Sequence, residues 1–145
     1  MNSRNLSEVV AKRWMIVDDD PGSLALTREM ISRLGVTRLE CFTSPLQALS
    51  AFKAAPECYE LVITDFQMPK MDGVELSRRM LALAPQIKIL LMSGGSFVND
   101  ETAAQEGFCG FLRKPFELQT LLRTLASTSA GNLATDLNRG QRPEL

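Results

Sequence analysis

The chain has 145 residues, enough for one domain with a sizeable core and too few for two of ordinary size. An apolar fraction of 45% with 23% charged residues excludes disordered, collagen-like and disulfide-framework classes. The near balance of 16 basic and 17 acidic residues excludes a global field that would draw the chain onto nucleic acid or an anionic membrane.

Residues 1–11 read as an N-terminal extension, and SEVVAKR, residues 7–13, could form a short helix docked on the body. The apolar run 14–17 predicts a first strand that ends in Asp18-Asp19-Asp20. Asp20-Pro21, a capping carboxylate followed by proline at the first helical position, predicts a helix that stops at Gly35, along which Leu24, Leu26, Met30, Ile31 and Leu34 recur at roughly helical spacing. The run 39–42, LECF, predicts the second strand and carries the weakest signal of the five. Ser44-Pro45 then opens a helix that sends Leu46, Leu49 and Phe52 inward and stops before Pro56.

The third strand, 61–64, ends in Asp65 and is followed by a helix over 74–84, stopped by Pro85. The fourth strand, 87–92, ends in Ser93-Gly94-Gly95. A polar, weakly amphipathic fourth helix is expected from residue 99 or 100 to Gly107, and it should be the most loosely packed. The fifth strand, 110–113, leads into Lys114-Pro115. A fifth helix over 117–125 gathers Leu118, Leu121, Leu122 and Leu125 on one face. Residues 127–145 have few large apolar groups and read as a flexible tail without an output domain.

Short apolar runs alternating with amphipathic stretches are the signature of βα units feeding a parallel sheet. In such a sheet the functional crevice lies at the carboxyl ends of the strands. Four strand ends here carry polar groups: Asp18 to Asp20, Asp65, Ser93 and Lys114. Carboxylates gathered together repel and raise one another's pKa, so a cation is expected among them, and an all-oxygen donor set fits magnesium. A lysine and a hydroxyl beside it make an electrostatic clamp for phosphoryl transfer, and an aspartate is a competent nucleophile for it. Taken singly, each piece has a plainer explanation. Asp20 caps a helix, Ser93-Gly94-Gly95 is a turn, Asp65 begins a loop, and Lys114 is a surface charge. Their coincidence at four strand ends is what favours chemistry.

IVDDDP, LVITDFQMPKMDG, ILLMSGG and GFLRKPF stand in the order and at the spacing of the motifs of bacterial two-component receiver domains, and residues 12–126 resemble that family. The resemblance implies a flavodoxin-like, doubly wound five-stranded parallel sheet flanked by five helices, with strand order 2-1-3-4-5, as in the chemotaxis response regulator. It implies Asp65 as phosphoacceptor, Asp19 as a direct magnesium ligand, Asp18 as an acid acting through water, and the Gln67 carbonyl as the third protein ligand. Ser93 and Lys114 would contact the phosphoryl group, Ser93 and Phe111 would act as the switch, and Lys114-Pro115 would be cis. Pro69 and Gly73 would shape the loop after the third strand. Phe111 stands where tyrosine is common, which also leaves an ordinary core aromatic as its explanation.

The activity implied is acceptance of a phosphoryl group from a sensor histidine kinase or histidine phosphotransfer protein, a regulatory role rather than that of a turnover enzyme. The signal would pass to a downstream protein through the fourth helix, fifth strand and fifth helix, without direct contact to nucleic acid or membrane. A phosphorylation-linked homodimer is compatible with this. Three other readings remain. A haloacid-dehalogenase-type phosphatase would use Asp18, Asp20, Ser93 and Lys114, but only Glu117, Asp136 and Glu144 follow to supply its further acids. A pseudo-receiver would regulate without phosphorylation. The domain would otherwise be one piece of a larger kinase or phosphorelay.

Cys41, Cys58 and Cys109 lack CxxC spacing and are expected to be reduced core thiols. The longest apolar stretches, such as 89–92, fall far short of the ~20 residues of a membrane span. No signal-peptide core is visible at the N-terminus, so a cytoplasmic location is expected.

Overall fold

All five apolar runs form strands in the computed structural model, which describes residues 13–95 and 107–126. The strands are β1 (Arg13–Val17), β2 (Leu39–Phe42), β3 (Tyr59–Asp65), β4 (Lys88–Ser93) and β5 (Gly110–Arg113). They pair in parallel in the order β2-β1-β3-β4-β5. The chain therefore winds outward from β1 in two directions, and the order reverses between β1 and β3, which is where such folds place their ligands. The strand order and doubly wound sheet are those expected from the sequence.

Four helices lie among the described residues: α1 (Pro21–Arg33), α2 (Pro45–Ala54), α3 (Gly73–Leu83) and α4 (Leu118–Ala126), with a 3-10 turn at Pro56–Cys58. Each of the first three begins on a side-chain cap. Asp20 accepts from the Gly22 amide, Ser44 from Gln47 and Asp72 from Glu75, which satisfies amides that a helix start leaves unpaired. The expected helix over 99–107 falls outside the described residues except for Gly107, as do the segments 1–12 and 127–145.

The strand period of two sorts the core into two layers, one on each face of the sheet. Met15, Val17, Val62, Ile89 and Leu91 meet Leu49, Phe52, Leu76 and Met80 from α2 and α3. Trp14, Ile16, Leu61, Ile63, Leu90, Met92 and Leu112 meet Leu24 and Ile31 of α1 and Leu121 and Leu125 of α4. A fully buried aliphatic side chain contributes about 1.5–3 kcal/mol, so these layers hold the strand ends in place.

Two helix faces differ from expectation. Leu26 and Leu46 point to solvent, 70% and 47% exposed, while Thr27 of α1 and Ala48 of α2 take buried places. At 3.6 residues per turn, both leucines sit about 110–120° around their helices from the centre of the buried stripe. The three cysteines form no disulfide, and they are half-buried rather than core residues. No described helix is long and apolar enough to cross a membrane.

Candidate functional site

Val17 leads β1 directly into Asp18, whose amide donates to the Phe42 carbonyl at 3.0 Å and prolongs the pairing with β2. The carboxylate is thereby drawn wholly out of solvent, at 0% exposure. Its Oδ1 accepts from the Asp20 amide at 3.0 Å. Asp20 turns away to cap α1, and Asp19 stays half-buried beside the crevice.

Asp65 ends β3, the central strand between β1 and β4, and is buried. The Phe66 amide donates to its Oδ1 at 3.1 Å and fixes the direction of the carboxylate. Behind it, Gly73 opens α3 with its amide on the Phe66 carbonyl at 2.8 Å. A Cβ at Gly73 would collide with the Asp65 carbonyl oxygen and stand 3.1 Å from Leu91 Cδ1, so glycine is required there by close approach. The loop between them turns at Lys70, whose φ of 73° lies in the left-handed region. Gln67 is exposed in this loop, and with Phe66, Met68, Pro69 and Asp72 it lines an open cleft.

Lys114 follows β5, and its peptide bond to Pro115 is cis, as the sequence resemblance implied. Its Nζ lies 2.8 Å from Asp18 Oδ2 and 3.4 Å from Asp65 Oδ1, so one cation bridges two buried acids from strands on either side of the switch point. Asp18, Asp19 and Asp65 each offer a carboxylate oxygen within 4.8 Å of the others. Three acids against one lysine leave the crevice negative. Burial pushes the Asp65 carboxyl up from its ordinary value, and the Asp18 charge pushes it further. Lys114 and the Phe66 amide oppose this without reversing it. For Lys114 burial works downward, but the hydrogen bond and charge of Asp18, joined by Asp65, more than offset it, and its pKa is raised.

Ser93 ends β4 and is buried, its hydroxyl accepting from the Gly95 amide at 3.1 Å. Phe111 is half-buried on β5 and packs against the layer shared with α2 and α3. The structure therefore gathers Asp18, Asp19, Asp65 and Lys114 at one point and sets Ser93 on the next strand. Phe111 stands apart on β5. Arg113 escaped the sequence reading, although its place two residues from Phe111 on one strand was a signal that they share a face. Its guanidinium lies 5.8 Å from the Phe111 ring centroid and donates to the Gly95 carbonyl at 3.0 Å.

The comparisons with known proteins agree with this geometry. Residues 14–126 match the family described as the response regulator receiver domain. The C4-dicarboxylate transport transcriptional regulatory protein DctD of Rhizobium meliloti is 32% identical over 110 residues, covering 75% of this chain and 23% of that protein. The curated relatives reach from 15% to 48% coverage of their own lengths, so this chain corresponds to less than half of each. A response regulator receiver domain protein of Clostridium thermocellum superposes with a TM-score of 0.72 at 26% identity, over 90% of this chain and 97% of the other. The receiver domain of the sensor histidine kinase PA1611 of Pseudomonas aeruginosa, solved with magnesium in its active-site cleft, shares the fold at a TM-score of 0.68 and 24% identity, over 79% and 93% of the two chains. With its sheet order, its acidic crevice and a family match along most of its length, the chain belongs to the response regulator receiver domains of two-component systems.

Proposed function

We propose that this domain is a phosphorylation-operated switch that accepts a phosphoryl group on Asp65 from a sensor histidine kinase or histidine phosphotransfer protein. The observation that carries this reading is the Lys114 ammonium 3.4 Å from Asp65 Oδ1, with Asp18 and Asp19 close by. A lone buried carboxylate is a poor acceptor for an anionic phosphoryl group, and fixed positive charge is what makes the encounter favourable.

The donor set fits a magnesium ion, because three carboxylates converge with more negative charge than Lys114 neutralises. Asp18, Asp19, Asp65 and the Gln67 carbonyl would hold it, with Asp18 acting through water. When bound, the ion supplies charge neutralisation to the phosphoryl oxygens. A carboxylate oxygen of Asp65 attacks phosphorus as the phosphorus–nitrogen bond to the donor imidazole breaks, and the histidine leaves with that electron pair. Lys114 holds a phosphoryl oxygen, and Ser93 donates its hydroxyl proton to another. Movement of Ser93 toward the group lets Phe111 pack inward, and a downstream protein reads the result on the surface formed by β5 and α4.

Incubation with magnesium and acetyl phosphate, followed by intact mass measurement, tests the assignment. One phosphoryl group should appear on the wild type and none on Asp65→Ala. Undiminished label in the variant overturns it.

A further inference from the structure

Arg113 takes no part in the chemistry proposed above, yet it joins the two residues assigned to the switch. Ser93 and Arg113 are direct partners in the β4–β5 register, and Leu91 is the partner of Phe111. Opposed residues of a parallel pair share a face, and so do residues two apart on one strand. Ser93, Arg113 and Phe111 therefore stand on the same side of the sheet.

The contacts run without a break through that group. The Ser93 hydroxyl accepts from the Gly95 amide at 3.1 Å, and the Gly95 carbonyl accepts from Arg113 Nη1 at 3.0 Å. The guanidinium of Arg113 then lies 5.8 Å from the Phe111 centroid, within cation–π range. The amide of the next residue, Lys114, donates to the Ser93 carbonyl at 2.9 Å, so the backbone beneath the clip is tied as well. One exposed side chain thus grips the turn that carries the hydroxyl and the ring that has to move.

We propose that Arg113 is a positioning residue that latches the Ser93 turn to Phe111 and holds both in the arrangement seen here, opposing the phosphorylated conformation. This rests on the phosphoacceptor reading of Asp65. Release of the latch is a cost carried only by the activated state, so its removal favours that state. The contacts are exposed and individually modest, so the effect is a tuning of the equilibrium rather than an on–off control.

Beryllium fluoride with magnesium, titrated calorimetrically, supplies a phosphoryl mimic whose affinity reports that equilibrium. Arg113→Met should bind it about three- to tenfold more tightly than wild type, in proportion to the loss of one cation–π contact and one charged hydrogen bond. Arg113→Lys, which keeps a cation over the ring, should stay close to wild type. In a Phe111→Leu background the effect of Arg113→Met should shrink. A simple structural role predicts the opposite, a lower urea midpoint together with weaker binding. Equal or weaker binding by Arg113→Met overturns this inference alone. Absence of binding by the wild type overturns the phosphoacceptor reading and this inference with it.

Discussion

Gly73 and Asp65 are separated by no side chain: the first residue of α3 lies directly against the backbone carbonyl of the last residue of β3. An added methyl group has no room, because its neighbours are the Asp65 backbone and the buried Leu91 rather than a side chain free to swing. Gly73→Ala should therefore cost about 1–3 kcal/mol, as overpacking does. It should also displace Asp65 and slow its labelling. Trp14, the only tryptophan, is buried in the core and makes urea unfolding readable by fluorescence.

Asp65→Asn should stabilise the protein at neutral pH. The folded pKa of Asp65 lies above its ordinary 3.8, so the fold favours the protonated acid. Stability linked to that proton is full below about 3.8 and is lost as pH rises through the folded value. Asparagine cannot ionise and escapes the loss. Urea midpoints of the two proteins should converge in acid and separate toward pH 7, with the variant ahead.

Removing the bridging cation acts in the reverse direction. Lys114→Met leaves Asp18, fully buried, and Asp65 without their shared partner. A loss of about 1–3 kcal/mol at neutral pH is expected, below the full value for a buried pair because Lys114 reaches partly into solvent. The deficit should narrow as pH falls and Asp65, whose folded pKa is raised, takes up a proton. Millimolar magnesium should raise the melting temperature of this variant if the acid cluster binds the ion, and it should do so less in a Lys114→Met, Asp19→Asn double variant.

At the other end of the sheet, Tyr59 donates to Glu40 Oε1 at 2.6 Å, and Arg13 pairs with the same carboxylate at 2.9 Å. Burial pushes the Tyr59 phenol from 10.0 up to about 12, and the hydrogen bond to Glu40 adds to the shift. The stability it contributes is present below about pH 10 and lost as pH rises toward 12, on the order of 2 kcal/mol in all. Tyr59 is the only tyrosine, so phenolate absorbance follows it alone. Tyr59→Phe should lower stability near neutrality and abolish the alkaline transition.

Most of the site was legible because it needed only strand ends. Once β1, β3, β4 and β5 run parallel, Asp18, Asp65, Ser93 and Lys114 must share an edge, whatever the details of packing. Even LECF, with Glu40 and Cys41 inside it, proved to be a strand, since an edge position needs burial on fewer sides. What escaped depended on angles and loop paths. Leu26 and Leu46 are apolar but lie off the buried stripe of their helices. Tyr59 and Glu60 extend β3 backward because the Arg13 and Trp14 side chains give them partners, which no local pattern announces. The Arg113 contact with Gly95 depends on how the chain turns after Ser93, and spacing alone does not encode that turn.

The bond between Lys114 and Asp18 joins residues 96 positions apart. Closing so long a loop is among the later gains of a folding chain, because the entropy of closure precedes any return from the contact. A ribosome-bound chain that has emerged through β4 already exposes every acid of the crevice but not the cation that tempers them. On the proposed function, competence to receive a signal is thus acquired only with β5, the last of the described strands, and a chain halted before it is mute.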